Sequence, residues 1–228
     1  MKNLFNSIKL QKPNSNYFDL SHDVKLTAKM GNLVPVLAMD VVPGDKFDLG
    51  CESLLRFAPL TAPVMHRFDV TVHYFFVPNR ILWDNWEDFI SNDTALVPPY
   101  IRYTDSYVTV PEYQKFLDYI GIPPIATGQT ATNVSAFPMA AYQCIYNEYY
   151  RDQNLVTPID FKLRDGLNNA TSGDDARLFT MRKRAWEHDY FTSALPFAQK
   201  GTPVDIPLGS ISCDAAVYCN QVSDNLIP

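Results

Sequence analysis

The residues able to do chemistry are few, and their spacing works against catalysis. Three carboxylates, Asp84, Glu87 and Asp88, crowd one short segment. Glycoside cleavage needs two carboxyls facing each other across the bond, and one short helix cannot set a pair on opposite sides of a substrate. The histidines His22, His66, His73 and His188 form no HxH or HExxH pair, so the two-on-one-face spacing of metal sites is missing. His188 stands between Glu187 and Asp189, a setting suited to a hydrogen bond that braces a loop. Cys51, Cys144, Cys213 and Cys219 make no CxxC pair and no zinc-spaced cluster, and they read as buried thiols made in a reducing compartment. There is no GxSxG and no Gly-rich phosphate cradle. The sequence therefore assigns no catalytic residue, no metal ligand and no cofactor.

One cluster carries binding chemistry. Arg177, Arg182, Lys183 and Arg184 stand near Trp186, and cations for phosphates beside an aromatic for a base are what single-strand binders use. The formal net charge of −6 argues against the whole chain being a polyelectrolyte binder. A basic triplet on an acidic chain also suits a solvated loop or an intersubunit ion pair. Arg182, Lys183 and Arg184 are thus candidates for nucleic-acid contact and nothing stronger.

The scaffold that must position these groups is rich in apolar mass. Hydrophobic residues make up 46% of the 228 and aromatics 13%, while only 19% are charged, against roughly 25% in ordinary soluble domains. A subunit interface is a common destination for such a surplus. The 17 Pro against 9 Gly favour strand ends and ordered loops over long helices. No apolar run approaches about 18 residues and no signal-peptide core is visible, so synthesis in a cytoplasm without membrane insertion is expected.

Residues 1–17 read as a polar arm with few apolar grips. Strict alternation over 23–30 and 46–57 predicts half-buried strands, the second placing Cys51 on its buried face. Pro43-Gly44 between them has the composition of a type II turn. A strand over 68–77, apolar on both sides toward its end, is expected to be covered twice. Asn79 is a plausible N-cap for a helix to Ile90. Residues 91–109 and 122–135 read as loops. PEYQKFLDYI at 111–120 is a two-turn helix between Pro111 and Gly121, and a longer helix runs from Pro138 to about Asp152 on a stripe of Met139, Tyr142, Ile145, Tyr146 and Tyr149. Polar residues 154–177 suggest an exposed loop; a last strand at about 204–208 and an apolar run at 216–218 follow. Short strands, helices and long loops intermix without a convincing boundary, which suggests a β-sandwich whose connections have grown helices.

The stretch 57–89, with its Pro loop, aromatic strand and two tryptophans, is the densest apolar element. Trp83, Trp86, Phe75, Phe76, Tyr190 and Phe191 are the structural or interface candidates. A rival reading is a carbohydrate-binding jelly roll or a glycoside-acting enzyme, which would set aromatics over convergent polar groups in a concave pocket.

Several blocks resemble one family. They are Phe18-Asp19-Leu20-Ser21-His22, Leu33-Val34-Pro35, Val42-Pro43-Gly44-Asp45 with Phe47, and Arg56-Phe57-Ala58-Pro59-Leu60-Thr61-Ala62-Pro63-Val64-Met65. The densest is Phe75-Phe76-Val77-Pro78-Asn79-Arg80 running into Trp83-Asp84-Asn85-Trp86, and His188-Asp189-Tyr190-Phe191-Thr192-Ser193-Ala194-Leu195-Pro196 with Gln199-Lys200-Gly201 is another. Spread over about residues 17–209, they are similar to the major capsid protein of the microviruses, small tailless phages with single-stranded DNA. Phe197-Ala198 departs from the Trp-Pro frequent in relatives. The resemblance implies a mainly β, viral jelly-roll sandwich with long helix-containing insertions at about 78–203, an arm at 1–17 and a capsid domain over 18–228. It implies a homo-oligomeric icosahedral shell around a circular single-stranded DNA genome, built in the bacterial host cytoplasm with scaffolding and minor virion proteins. The inner surface would touch DNA or a small basic packaging protein, and no membrane is involved. Because relatives are longer, the chain is expected to be the N-terminal part of a longer reading frame, its sheet otherwise keeping unpaired edges.

Overall fold

The computed structural model describes residues 14–63, 65–92, 95–104, 111–123, 130–168 and 175–195. They belong to two units, Met1–Ala185 and Trp186–Pro228. The strand at 204–208, the apolar run at 216–218, Cys213, Cys219 and most of the arm lie outside the described residues.

The first unit has two halves of opposite character. From residue 14 to 77 the backbone is extended or turning and enters no named strand. The alternation over 23–30, 46–57 and 68–77 does not produce strands, because a strand exists only when its N–H and C=O groups find a neighbour's ladder. No such neighbour lies beside these segments among the described residues, apart from a single bridge between Asn32 and Lys183. Cys51, expected inside, is exposed for the same reason: its face has no second layer to pack on. The turn does form as expected, with Asp45 N–H donating to Val42 O at 3.1 Å and Gly44 at φ 98°, the left-handed third position that a type II turn requires.

The second half is ordered by helices. Residues 79–90 form two short ones, α1 (Asn79–Leu82) and α2 (Trp86–Ile90), rather than one. The break is at Trp83, whose φ of −135° and ψ of 119° are extended; consecutive Leu82 and Trp83 are then both buried, each 1% exposed. The N-cap position is Pro78, which makes no side-chain cap bond, and Asn79 is the first helical residue instead of the cap. β1 (Tyr100–Thr104) and β2 (Thr130–Ser135) pair antiparallel in register Tyr100↔Ser135 and Ile101↔Val134, with an irregularity between Ile101 and Tyr103. Both fall where the sequence suggested loops. Pro98-Pro99 and the polar flanks set that expectation, whereas Tyr, Ile, Thr and Val are good strand formers once a partner is present.

α3 (Pro111–Ile120) has the expected bounds. Gly121 at φ 106° ends it, with its N–H on Asp118 O and that of Ile122 on Leu117 O, so two carbonyls left open by the helix end are satisfied. α4 (Phe137–Ile145) continues into a π-helical turn, Tyr146–Tyr150. The wider turn changes which side chains face inward: Met139, Gln143 and Tyr146 are buried, while Tyr149, expected on the apolar stripe, is 62% exposed. α5 (Asp175–Phe179) lies at the end of the segment read as loop and buries Leu178 and Phe179. The core joins Leu82 and Trp83 to Ile101, Phe116, Leu117, Met139, Leu163 and Phe179.

Candidate functional site

Two polar clasps hold this helical half together. In the first, buried Gln143 donates from Nε2 to Leu178 O and Thr180 O, each at 3.0 Å, and accepts from Arg182 Nε at 2.8 Å. Next to it the Tyr142 hydroxyl donates to Leu33 O and accepts from Arg182 N–H, both at 2.8 Å. The Arg182 guanidinium also donates to Arg177 O and lies 5.7 Å from the Tyr146 ring centroid, a cation–π distance. Burial pushes the Tyr142 phenol up to about 12, against the lowering effect of Arg182. Burial likewise drives the Arg182 pKa downward and, with nearby Glu148, raises that of the Cys144 thiol.

The second clasp is built on the two tryptophans. Trp83 Nε1 donates to Asp165 Oδ1 at 2.7 Å, and Asn85 Nδ2 donates to both Asp165 oxygens at 3.1 Å. Leu163 N–H donates to Leu82 O at 2.8 Å. The Asn168 side chain closes the same loop, accepting from Arg164 N–H and donating to Arg164 O and Gly166 O. Trp86 is half-buried against Phe89 and Phe137, at ring centroid distances of 6.2 and 5.5 Å. The Trp-Asp-Asn-Trp motif is therefore a packing and hydrogen-bonding element. Its Asp84 carboxylate faces outward and pairs with Lys162, and Glu87 and Asp88 sit exposed in the first turn of α2, where they suit the helix dipole.

The basic cluster is divided between these clasps and the surface. Arg177, its side chain 10% exposed, pairs with Asp160 at 3.2 Å and donates to Lys162 O. Arg182 is held by the first clasp, whereas Lys183 and Arg184 are exposed. They belong to a joint with residues 31–33: Leu33 N–H donates to Arg182 O, and Arg184 N–H to Gly31 O, both at 2.9 Å. Close to Arg184 is an aromatic group that sequence reasoning missed. The rings of His73 and Tyr150 stack at 5.8 Å, Tyr149 meets each edge-on, and Phe75 packs edge-on against both tyrosines. Burial and Tyr149 raise the Tyr150 phenol pKa, opposed by Arg184. The period-two pattern that places His73 and Phe75 on one face was the available signal.

Much of the remaining aromatic mass faces out. Phe76 is 73% exposed and Phe75 42%, against 1% for Trp83. In the second unit, Tyr190 is 93% exposed and Phe191 89%, on a turn braced by Asp189 rather than by His188. Asp189 Oδ1 accepts from the N–H groups of Phe191 and Thr192 and from the Thr192 hydroxyl, and Oδ2 accepts from Trp186 Nε1. These bonds, those from Thr192 above all, hold the carboxyl below the usual range. Among the described residues, no three His, Cys, Asp or Glu side chains are grouped to hold a metal. Each unit thus leaves aromatic side chains in an exposed exterior, and the first unit holds its helical half with well-satisfied clasps.

Comparison with known proteins gives that exterior a context. The family described as "Capsid protein (F protein)" matches residues 7–226. The chain is 37% identical over 224 residues to capsid protein VP1 of Chlamydia phage 1, covering 90% of this chain and 37% of that protein. It is 35% identical over 199 residues to capsid protein VP1 of Bdellovibrio phage phiMH2K, covering 85% and 35%. Capsid protein F of Escherichia phage G4 is 27% identical over 136 residues, covering 58% and 29%. The chain thus spans about a third of the length of the curated relatives it matches.

Proposed function

The chain belongs to the capsid protein (F protein) family of phages, which is structural and not enzymatic, and from that premise we propose that it forms part of the wall of a small icosahedral shell around a single-stranded DNA genome. The observation that carries this reading is the exposed apolar load of the extended half. Phe18, Met30, Val42, Leu54, Phe57 and Phe76 are each more than half exposed, and Met30, Leu54, Phe57 and Phe76 lie on the segments 23–30, 46–57 and 68–77 read as strands. Monomeric proteins rarely leave contiguous apolar surface on this scale uncovered. In the proposed shell these segments become strands of a jelly-roll sandwich, pairing their open backbone groups and burying one face each.

Within that scheme residues 1–17 act as an arm and 18–228 belong to the capsid domain. Trp83 and Trp86 set the scaffold from within, and Phe75, Phe76, Tyr190 and Phe191 supply contact surface. Of the basic triplet, the exposed Lys183 and Arg184 are the candidates for DNA contact, because the guanidinium of Arg182 serves the fold; the inner surface touches DNA or a small basic packaging protein. Scaffolding and minor virion proteins assist assembly in the host cytoplasm, and the product resides in the virion.

The test is electron microscopy of the purified protein expressed together with the other virion proteins of its phage. Uniform small shells are the expected result. A monodisperse monomer that binds a sugar in a concave aromatic pocket would overturn the reading in favour of the carbohydrate-binding alternative.

A further inference from the structure

We propose that the Tyr142 hydroxyl is a register pin: it fills one rung of the short ladder between residues 31–33 and 182–184, and so fixes where the extended half is tied to the helical half. The device works within one subunit and does not depend on shell formation.

The filled rung can be read from the bonds around it. Asn32 and Lys183 face each other as an antiparallel bridge, flanked by Leu33 N–H on Arg182 O and Arg184 N–H on Gly31 O, both at 2.9 Å. That is the pattern of a non-hydrogen-bonded pair, beside which Leu33 and Arg182 should exchange both of their N–H···O bonds. One of those two bonds runs directly. In place of the other, Arg182 N–H donates to the Tyr142 hydroxyl and the hydroxyl donates to Leu33 O, each at 2.8 Å. A single phenol oxygen thus stands between donor and acceptor as a bridging water would, but it is fixed to α4. Its ring is backed by Phe116 at a centroid distance of 4.7 Å, and burial, by raising its pKa to about 12, keeps the proton that Leu33 O accepts.

The next pair along fails for a covalent reason. In this register Pro35 would face Thr180, and proline has no N–H to give. Thr180 O accepts instead from Gln143 Nε2 at 3.0 Å. Consecutive residues of α4 therefore serve consecutive bonded pairs, one by filling the rung and the other by satisfying the acceptor. Other registers lose these matches. A slip of one residue turns the Leu33 N–H and C=O away from Arg182, and a slip of two sets Pro35 against Arg182, whose carbonyl then has no donor from that residue.

The place of the pin suits a half that stays open elsewhere. It lies at the turn that ends the alternation of 23–30, where Asn32 N–H donates to Lys29 O at 3.3 Å and Gly31 sits at φ 80°. Among the described residues, the bonds Leu33–Arg182 and Arg184–Gly31 are the backbone pairs that join residues 14–77 to the rest of the unit. One joint thus sets the phase of the chain, and the runs on either side keep their backbone groups for pairing.

The test uses cross-strand disulfides in the full chain. Non-hydrogen-bonded antiparallel pairs bring their Cα atoms to about 4.5 Å, within disulfide range. Under mild oxidation N32C/K183C should close, whereas N32C/A185C, which reports the slip of two, should not; peptide masses separate these bridges from any made by the chain's own cysteines. Adding Tyr142→Phe, which keeps the ring and removes the pin, should lower the ratio of in-register to slipped disulfide by about tenfold. A general loss of stability would lower both yields and leave their ratio unchanged. In the parent, NMR should show the Tyr142 hydroxyl proton in slow exchange, with a nuclear Overhauser contact to the Arg182 amide proton. An unchanged ratio in folded Tyr142→Phe, a slipped disulfide as abundant as the in-register one in the parent, or no hydroxyl–amide contact in the parent overturns the pin, whether or not the protein builds shells.

Discussion

The two halves of the first unit carry similar apolar loads and treat them in opposite ways. In the helical half, Leu82, Trp83, Phe116, Met139 and Phe179 are each 1% exposed or less. In the extended half, Leu54 is 85% exposed and Phe57 58%. The difference is one of hydrogen bonding before it is one of hydrophobicity. A helix satisfies its backbone from residues four apart, so a few short ones can gather around a core once caps and clasps hold them. An extended segment satisfies nothing alone, and its alternating face is useful only after another strand has docked. The helical half is therefore self-contained, and the extended half is an offer of pairing.

Trp83→Ala breaks the comparison most sharply. It removes a buried indole and its bond to Asp165, leaving Asn85 as the donor to that carboxylate, and should cost about 3–5 kcal/mol in a denaturant melt, unfolding the helical half. Gln143→Leu comes next. It leaves the half-buried Arg182 guanidinium and two carbonyls short of a partner, for an expected loss of about 2–3 kcal/mol by the same measurement. Tyr142→Phe, which keeps the ring and deletes two hydrogen bonds, should cost about 1–2 kcal/mol.

The Tyr142 phenol supplies a pH test of the same joint. Its folded pKa is raised, so the fold favours the neutral form. That contribution is fully present below the usual value of 10.0 and is lost as pH climbs toward about 12. Ultraviolet titration of the wild type should show one tyrosinate forming late, and Tyr142→Phe should remove that component. A melt that is flat across this range would show that the Leu33–Tyr142–Arg182 joint contributes little.

Phe76→Ser is the counterpart in the extended half. With the side chain 73% exposed, it should change the stability of the isolated subunit by no more than about 0.5 kcal/mol yet reduce shell yield in electron micrographs. A large loss of subunit stability would mean that this half is packed in the monomer and would erase the contrast. The smallest effect expected is at Asp189. Its carboxyl is held below 3.8 by Thr192, Trp186 and Phe191, so its bonds persist above that value and loosen as pH falls through the lowered pKa. Carbon-detected NMR of the carboxyl would follow this directly.

The helix over Pro111–Ile120 was legible to the residue, because Pro at its start and Gly just past its end are local devices that act wherever the segment lies. The type II turn at Pro43-Gly44 was legible for the same reason. The burial of Trp83 agreed with its place in an apolar segment, but its bond to Asp165, 82 positions away, had no sequence trace. Residues 100–104 and 130–135 were read as loops and are strands, while 23–30 and 46–57 were read as strands and carry no ladder. Both errors have one origin, since pattern reports which face could be buried and only a partner decides whether it is. Tyr149 was misplaced because the π-helical turn shifts the helical phase, which no local composition announced.

By itself, the amino-acid sequence determined the local conformations that need no partner, the lack of spacing for catalysis, and the motif order that identifies a capsid protein. Tertiary structure alone decided that Arg182 is a clasp while Lys183 and Arg184 stay at the surface, that Gln143 and Asp165 are the hubs of the helical half, and that Tyr190 and Phe191 stand exposed on a turn braced by Asp189. Caps and turns are settled within a few bonds along the chain. Clasps and exposed faces are settled by which distant segments arrive, and that is information no single stretch contains.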